Sequence, residues 1–175
     1  FPGHGSTTAD SHLELPVINK SLQELKQYDF APFQQYIDAG LGGCLTAHLY
    51  IPAIDKRRVP GTMSKAYVTN LLQKKMHFNG LIFTDALGME GAKEVKGSVC
   101  VNAFLAGNDI LLMPNEVGPE IAAIKQAIAA GKIKQKDVDA RVKKILRFKY
   151  ALGLDTKPQI DLANIVADIN APESK

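Results

Sequence analysis

The amino-acid sequence predicts an α/β fold with parallel strands, on three observations. Three short apolar runs, GCLTAHLYI at 43–51, GLIFTDAL at 80–87 and NDILLMP at 108–114, are bounded by Gly, Asn or Pro and are too short for helices. Their centres, near 47, 83 and 111, recur at roughly thirty residues, the length of a strand-helix-strand unit. The segments between them carry apolar stripes of helical period, and helical crossovers of that length join parallel strands.

Taken in order, Leu22 to Leu25 and Phe33 to Ile37 give two helical pieces divided at Pro32, which suits the first turn of the second piece. After the first strand, Ser64 caps a helix that carries Val68, Leu71, Leu72 and Met76 on the face turned to the sheet. After the second strand, Val99, Ala103 and Phe104 continue a short helix that stops at Gly107. The third strand is followed by the stripe Ile121, Ile124, Ile128, ended by Gly131. A last helix starts near Asp137, with Val138, Val142, Ile145 and Leu146 inward, Arg141, Lys143 and Lys144 outward, and Gly153 as its stop. Residues 154–175 change character, with Pro158 and Pro172 among mixed polar residues, and read as a linker or tail.

At 175 residues, with 46% hydrophobic and 22% charged, the chain has the composition of one globular domain rather than a disordered or fibrous segment. Lys and Arg number 21 against 18 Asp and Glu, a net +3, without any block of like charge. Neither a nucleic acid nor an acidic membrane surface therefore has an electrostatic signature. Cys44 and Cys100 stand far apart and outside any CxxC spacing, which excludes a disulfide framework and a zinc ribbon. No stretch approaches the roughly 18 consecutive apolar residues of a membrane span. The chain opens on Phe1 in a glycine-rich segment, which reads as a piece of a longer protein.

Reactive groups of parallel α/β folds gather at the C-terminal ends of the strands. Asp85 stands at such an end, after Leu81, Ile82 and Phe83. It reads either as a reacting carboxylate at the mouth of a site or as a cap of the next helical segment. His48, near the end of the preceding strand, reads as a structural imidazole bonded to nearby backbone, with a role in the site as the alternative. The opening FPGHGSTTADSHLELP brings Asp10 and His12 two residues apart in a segment without strand or helix period. That spacing lets a carboxylate accept an imidazole N–H and fix its tautomer for acid–base chemistry, or else forms an Asx-turn with an exposed His. A metal site from His4, His12, His48 and Asp85 lacks any HxxxH or HExxH support, a P-loop lacks its Lys-Ser/Thr, and no G-x-S-x-G elbow accompanies Ser6 or Ser11.

Together, FPGHGSTTADSH, TAHLYIPAID, GLIFTDALGMEGA, AFLAGNDILLMP and AAGKIKQKDVDARVKKILRFKYALGL resemble the family 3 glycoside hydrolases, above all their bacterial β-N-acetylhexosaminidase branch. The likeness runs from residue 1 to about 154, in the order and approximate spacing of the family. The resemblance implies that Asp10 and His12 form the acid/base pair of the PGHG…DSH loop, that Asp85 is the nucleophile, and that His4 contacts substrate. It implies a (β/α)₈-type barrel of which the three strands are the last three, the loop of residues 1–14 following the fifth, so that 1–153 is the C-terminal part of a catalytic domain.

The branch usually reads Lys-His immediately before Phe-Pro-Gly-His-Gly, and those positions fall before Phe1. The implied activity is retaining hydrolysis of terminal β-linked N-acetylglucosaminides, plausibly of cell-wall fragments, with neither metal nor organic cofactor. Phosphorolysis with the same residues and a non-catalytic carbohydrate-binding relative are the alternatives. A carbohydrate is the implied partner, and either the first half of the barrel or a second copy is expected to complete the fold, the chain alone being inactive. The likeness to exported bacterial members tilts localisation toward the periplasm.

Overall fold

The computed structural model describes residues 1–156 and 162–170, and these divide into two compact units that meet in sequence between Arg141 and Val142. In the first unit, helix α1 (Leu22–Glu24) opens on a capping box. Ser21 accepts the Glu24 N–H, and the Glu24 carboxylate accepts the Ser21 N–H. The chain continues through a wider turn, Leu25–Asp29, into α2 (Ala31–Asp38), with Pro32 in its first turn as expected. Leu25 is fully buried while Leu22 is exposed.

Strand β1 (Gly43–Thr46) pairs in parallel with β2 (Leu81–Thr84), Cys44 facing Ile82 and Thr46 facing Thr84. Between them lies a helix, Ala66–Lys75, closed by bonds that span five residues, such as Asn70 N–H to the Lys65 carbonyl. Val68, Leu71, Leu72 and Met76 are all buried, as their spacing predicts. The expected first strand is shorter than its apolar run, because after Thr46 the backbone leaves the ladder and rejoins only at a single bridge from Tyr50 to Val17. The third expected strand is likewise reduced to one parallel bridge, Phe83 to Ile110. It nevertheless lies beside β2, the Thr84 N–H reaching the Ile110 carbonyl at 3.0 Å and the Leu87 N–H that of Leu112 at 2.9 Å. On the far side of β1, the Ala47 N–H donates to the Phe1 carbonyl at 3.1 Å, and the Phe1 nitrogen donates to the Leu45 carbonyl. Four parallel backbone segments thus stand in the order Phe1, β1, β2, Ile110.

The core lies against the face of this array that carries Cys44, Thr46, Ile82 and Thr84, while Leu45 on the other face is exposed. Phe1, Phe30, Phe33 and Tyr67 form an aromatic cluster with ring centroids 5.0 to 6.2 Å from Phe1. Polar side chains are also buried among the strands. The Thr46 hydroxyl donates to Asn108 Oδ1 at 2.9 Å, the Asn108 amide donates to the Thr62 and Ala103 carbonyls, and the Thr62 hydroxyl donates to the Thr46 carbonyl. Each member has a partner, which removes the cost of burying it.

Helix α3 (Val99–Ala106) is capped by Ser98 and ends on Gly107 at φ 119°, the left-handed position foreseen for it. Helix α4 (Val117–Ala129) packs Ala127, Ile124 and Ile128 inward, but Ile121 is half exposed. Helix α5 (Gln135–Ala151) corrects the expected orientation of the last helix. Arg141 points inward, its guanidinium 3.7 Å from the Phe104 ring centroid and bonded to the Phe104 and Asn108 carbonyls at 2.8 Å, while Val142 and Leu146 are exposed. A planar fork of donors reaches the Asn108 carbonyl and adds a second donor to the Phe104 carbonyl, which already accepts the Gly107 N–H, and this turns Arg141 inward. In the second unit, α5 ends at Ala151 and a short helix, α6 (Ile165–Ile169), lies within the segment read as a tail. Pro158 and Pro172 lie outside the described residues. Among the described residues no helix is long and apolar enough to cross a membrane.

Candidate active site

Asp85 leaves the sheet at the C-terminal end of β2, where its N–H still donates to the Thr46 carbonyl at 2.9 Å. Its carboxylate does not cap the turn Glu90–Ala92, whose N-cap is Met89. One oxygen, Oδ1, accepts the Ala86 N–H at 2.8 Å, and the residue is half-buried.

The Asp10–His12 segment realises both readings of its spacing at once. Asp10 Oδ1 accepts the His12 backbone N–H at 2.9 Å, which closes an Asx-turn, and also meets His12 Nδ1 at 2.8 Å. These two donors, the backbone N–H first, hold the Asp10 carboxyl below the usual carboxylate range. A carboxylate only accepts, so Nδ1 carries the proton and Nε2 of His12 is left to exchange one. Both side chains are open to solvent, 56% for Asp10 and 74% for His12.

Several contacts set the position of this loop. His4 Nε2 lies 2.9 Å from the buried Ser11 hydroxyl, the Ser6 hydroxyl donates to Asp29 at 2.8 Å, and the Ser11 carbonyl accepts the Gly91 N–H at 3.2 Å. Gly91 belongs to the turn that follows Asp85, so the loop that carries Asp10 and His12 is docked on the loop of the Asp85 carboxylate. Nothing larger than hydrogen fits at Gly91, since a Cβ there would stand 2.8 Å from the Ser11 oxygen and 2.9 Å from that of Glu14. Gly88 is less confined, its nearest neighbour being the end of the movable Asn115 side chain, Oδ1 at 2.5 Å, with the Met113 oxygen at 3.3 Å.

His48 is fully buried, with Nε2 bonded to the Ala86 carbonyl at 3.0 Å, which is the backbone role its sequence position indicated. The charges of Asp85 and His4 both act on it. The structure therefore sets His48 against the Ala86 carbonyl next to Asp85, and His4 on Ser11 beside the Asp10–His12 pair. Among the described residues no hydrogen bond or ion pair joins His12 to Asp85, and no three His, Cys, Asp or Glu side chains are grouped to hold a metal ion. Gly91, Gly88 and Asn108 are packed or buried positions around Asp85 and Thr46 that sequence reasoning missed. Their only signal is that two glycines follow Asp85 within six residues where no turn motif requires them.

The description "Glycosyl hydrolase family 3 N terminal domain" matches residues 1–148. The chain belongs to glycoside hydrolase family 3. A β-hexosaminidase of Chromobacterium violaceum is 36% identical over 129 residues, 71% of this chain and 36% of its own length. A family 3 β-N-acetylglucosaminidase from Paenibacillus sp. str. FPU-7 superposes with a TM-score of 0.88 at 29% identity, over 93% of this chain and 32% of that one. A β-glucoside phosphorylase, BglX, superposes with a TM-score of 0.85 at 27% identity, over 91% of this chain and 30% of that one. The chain thus spans about a third of the length of these relatives.

Proposed function

We propose that this chain is part of the catalytic domain of a retaining β-N-acetylhexosaminidase that acts on terminal β-linked N-acetylglucosaminides, those of cell-wall fragments among them. The parallel order Phe1, β1, β2, Ile110 supports reading it as one arc of a (β/α)₈ barrel, the other strands supplied by the rest of the protein. Asp85 Oδ2, the oxygen not bonded to the Ala86 N–H, attacks the anomeric carbon while His12 Nε2 protonates the departing glycosidic oxygen. Water then attacks the glycosyl ester, giving its proton to His12 and releasing the sugar and the Asp85 carboxylate. Asp10 keeps the imidazole oriented through both steps.

The observation that carries this reading is the Asp10–His12 bond through Nδ1, on a loop docked to the turn that follows Asp85. A single carboxylate served by an imidazole, rather than by a second carboxylic acid, spares the site a second negative charge. The same feature supports a second reading, suggested by the phosphorylase relative, in which phosphate replaces water in the second step.

The test is to incubate the complete catalytic domain with a fluorinated N-acetylglucosaminyl donor, which forms the ester faster than it is hydrolysed, and to map the adduct by mass spectrometry. A glycosyl group on the peptide that contains Asp85 is expected. An adduct on another residue, or none with an enzyme that turns over its substrate, overturns the nucleophile. Release of glycosyl phosphate rather than free sugar in phosphate buffer selects the second reading.

A further inference from the structure

The imidazole of His48 has a geometry that a space-filling residue does not need. A carbonyl only accepts, so the 3.0 Å contact to the Ala86 oxygen places the proton on Nε2. Nδ1 then keeps its lone pair, buried and without a partner among the described residues. Charging the ring would put a second N–H at that buried atom with nothing to receive it, which keeps His48 neutral. Burial indeed lowers its pKa, more strongly than the Ala86 bond and the Asp85 charge raise it, and the charge of His4 acts in the same direction as burial.

The carbonyl that His48 holds belongs to the Ala86–Leu87 peptide, whose N–H is bonded to the Leu112 carbonyl at 2.9 Å. That peptide is therefore gripped from both sides, by the loop after β1 and by the segment beside β2. On the other flank of Ala86, its own N–H holds Asp85 Oδ1, and the Asp85 N–H is held by Thr46. Removal of the Nε2 donor would leave the Ala86 carbonyl to the Met89 N–H alone, at 3.1 Å, and loosen the peptide next to the Ala86 N–H, and hence the carboxylate that this N–H holds.

We propose that His48 is a positioning residue for Asp85: a permanently neutral Nε2–H donor that locks the Ala86–Leu87 peptide and aims the carboxylate at the anomeric carbon. This rests on the assignment of Asp85 as nucleophile. Two variants separate aiming from filling. His48→Leu keeps an apolar side chain of similar size without a donor, and His48→Gln restores an N–H near the place of Nε2. In the complete catalytic domain, kcat per folded molecule should fall about 100-fold in His48→Leu at nearly unchanged KM, as expected for a displaced reacting group. His48→Gln should recover most of that loss.

Native kcat in His48→Leu, or equal losses in both variants, overturns the proposal. Asp85→Asn assayed in parallel distinguishes the two assignments, because an active Asp85→Asn removes the nucleophile itself, whereas an inactive one beside a fully active His48→Leu removes only this inference. Should neither His48 variant fold, ring-nitrogen NMR of the unaltered protein decides. The Nε2–H tautomer should persist at pH 6.5, the ordinary imidazole midpoint, and above, and its signal should move when Asp85 is esterified. A proton on Nδ1, or a ring that charges within that range, overturns it.

Discussion

The backbone N–H of Gly91 donates to the Ser11 carbonyl at 3.2 Å and thereby docks the loop of Asp10 and His12 onto the turn that follows Asp85. Replacing Gly91 by Ala would drive a methyl group against the Ser11 and Glu14 oxygens, neither of which is a flexible side chain. The expected cost is about 1–3 kcal/mol of stability, the usual range for an overpacked site. Activity should fall further than stability, since His12 is displaced with the loop. Thermal denaturation and kcat measured on the same sample check this, and a fully active, equally stable Gly91→Ala would refute the docking role.

Asp85→Asn should abolish turnover and leave the melting temperature within a few degrees of the parent. The amide is nearly isosteric and can still accept the Ala86 N–H, but it is no nucleophile. Near-native hydrolysis of an aryl N-acetylglucosaminide by this variant would remove Asp85 from the mechanism.

Replacement of His12 should hurt substrates with poor leaving groups far more than those with good ones, because only the former need a proton in the first step. Asp10→Ala should slow the same step, and the double variant should lose little beyond the His12 single variant. Additive losses would place Asp10 in another role. Because the folded Asp10 carboxyl is held below its ordinary value of 3.8, its bond to His12 should persist throughout the neutral range and open only as the pH falls through that lowered value. Titration followed by NMR of the Asp10 side chain checks the sign.

The Cys100 thiol is pushed up to about 12, by burial first and by the neighbouring Glu120 carboxylate second. At pH 8 only about one molecule in ten thousand then carries the reactive thiolate. A thiol reagent at that pH should leave Cys100 untouched in the native protein and modify it readily in guanidinium. Rapid native labelling would show that the α3 region opens far more often than its packing indicates.

This chain alone should neither hydrolyse aryl N-acetylglucosaminides nor remain monodisperse. Met113, Val117 and Ile121 line an apolar groove of about 620 Å³ beside the Ile110 segment, and among the described residues no further strand pairs there. Exposed apolar surface next to an open sheet edge favours association. Light scattering in parallel with the assay tests this, and full activity from a monomer would contradict it.

Much of this was legible in the sequence where the signal is local. The stripe Val68, Leu71, Leu72, Met76 and the stop at Gly107 needed only helical spacing and a left-handed residue. The Asp10–His12 bond followed from two residues' separation. What escaped depends on partners distant in sequence. Arg141 turns inward because the Phe104 and Asn108 carbonyls accept from it, and a charged residue on a mixed helix gives no sign of that. The third strand shrinks to one bridge because a run of apolar residues reports burial and not the extent of a ladder. Gly91 matters only because a loop some eighty residues earlier lies on it.

The loop of Asp10 and His12 is tied a second time, at Ser6, whose hydroxyl donates to an Asp29 carboxylate that Lys20 also holds, at 2.9 Å. With Gly91 gripping Ser11, the tether length between the two knots is fixed. Insertions should therefore be tolerated poorly between Ser6 and Ser11 and better beyond His12, where Leu13 is exposed. A saturation library scored for turnover should accordingly reveal intolerant positions at Asp29 and Gly91, neither of which takes part in bond making. Sites of that sort are invisible to a search confined to the pocket, yet they govern which sequences inherit the chemistry.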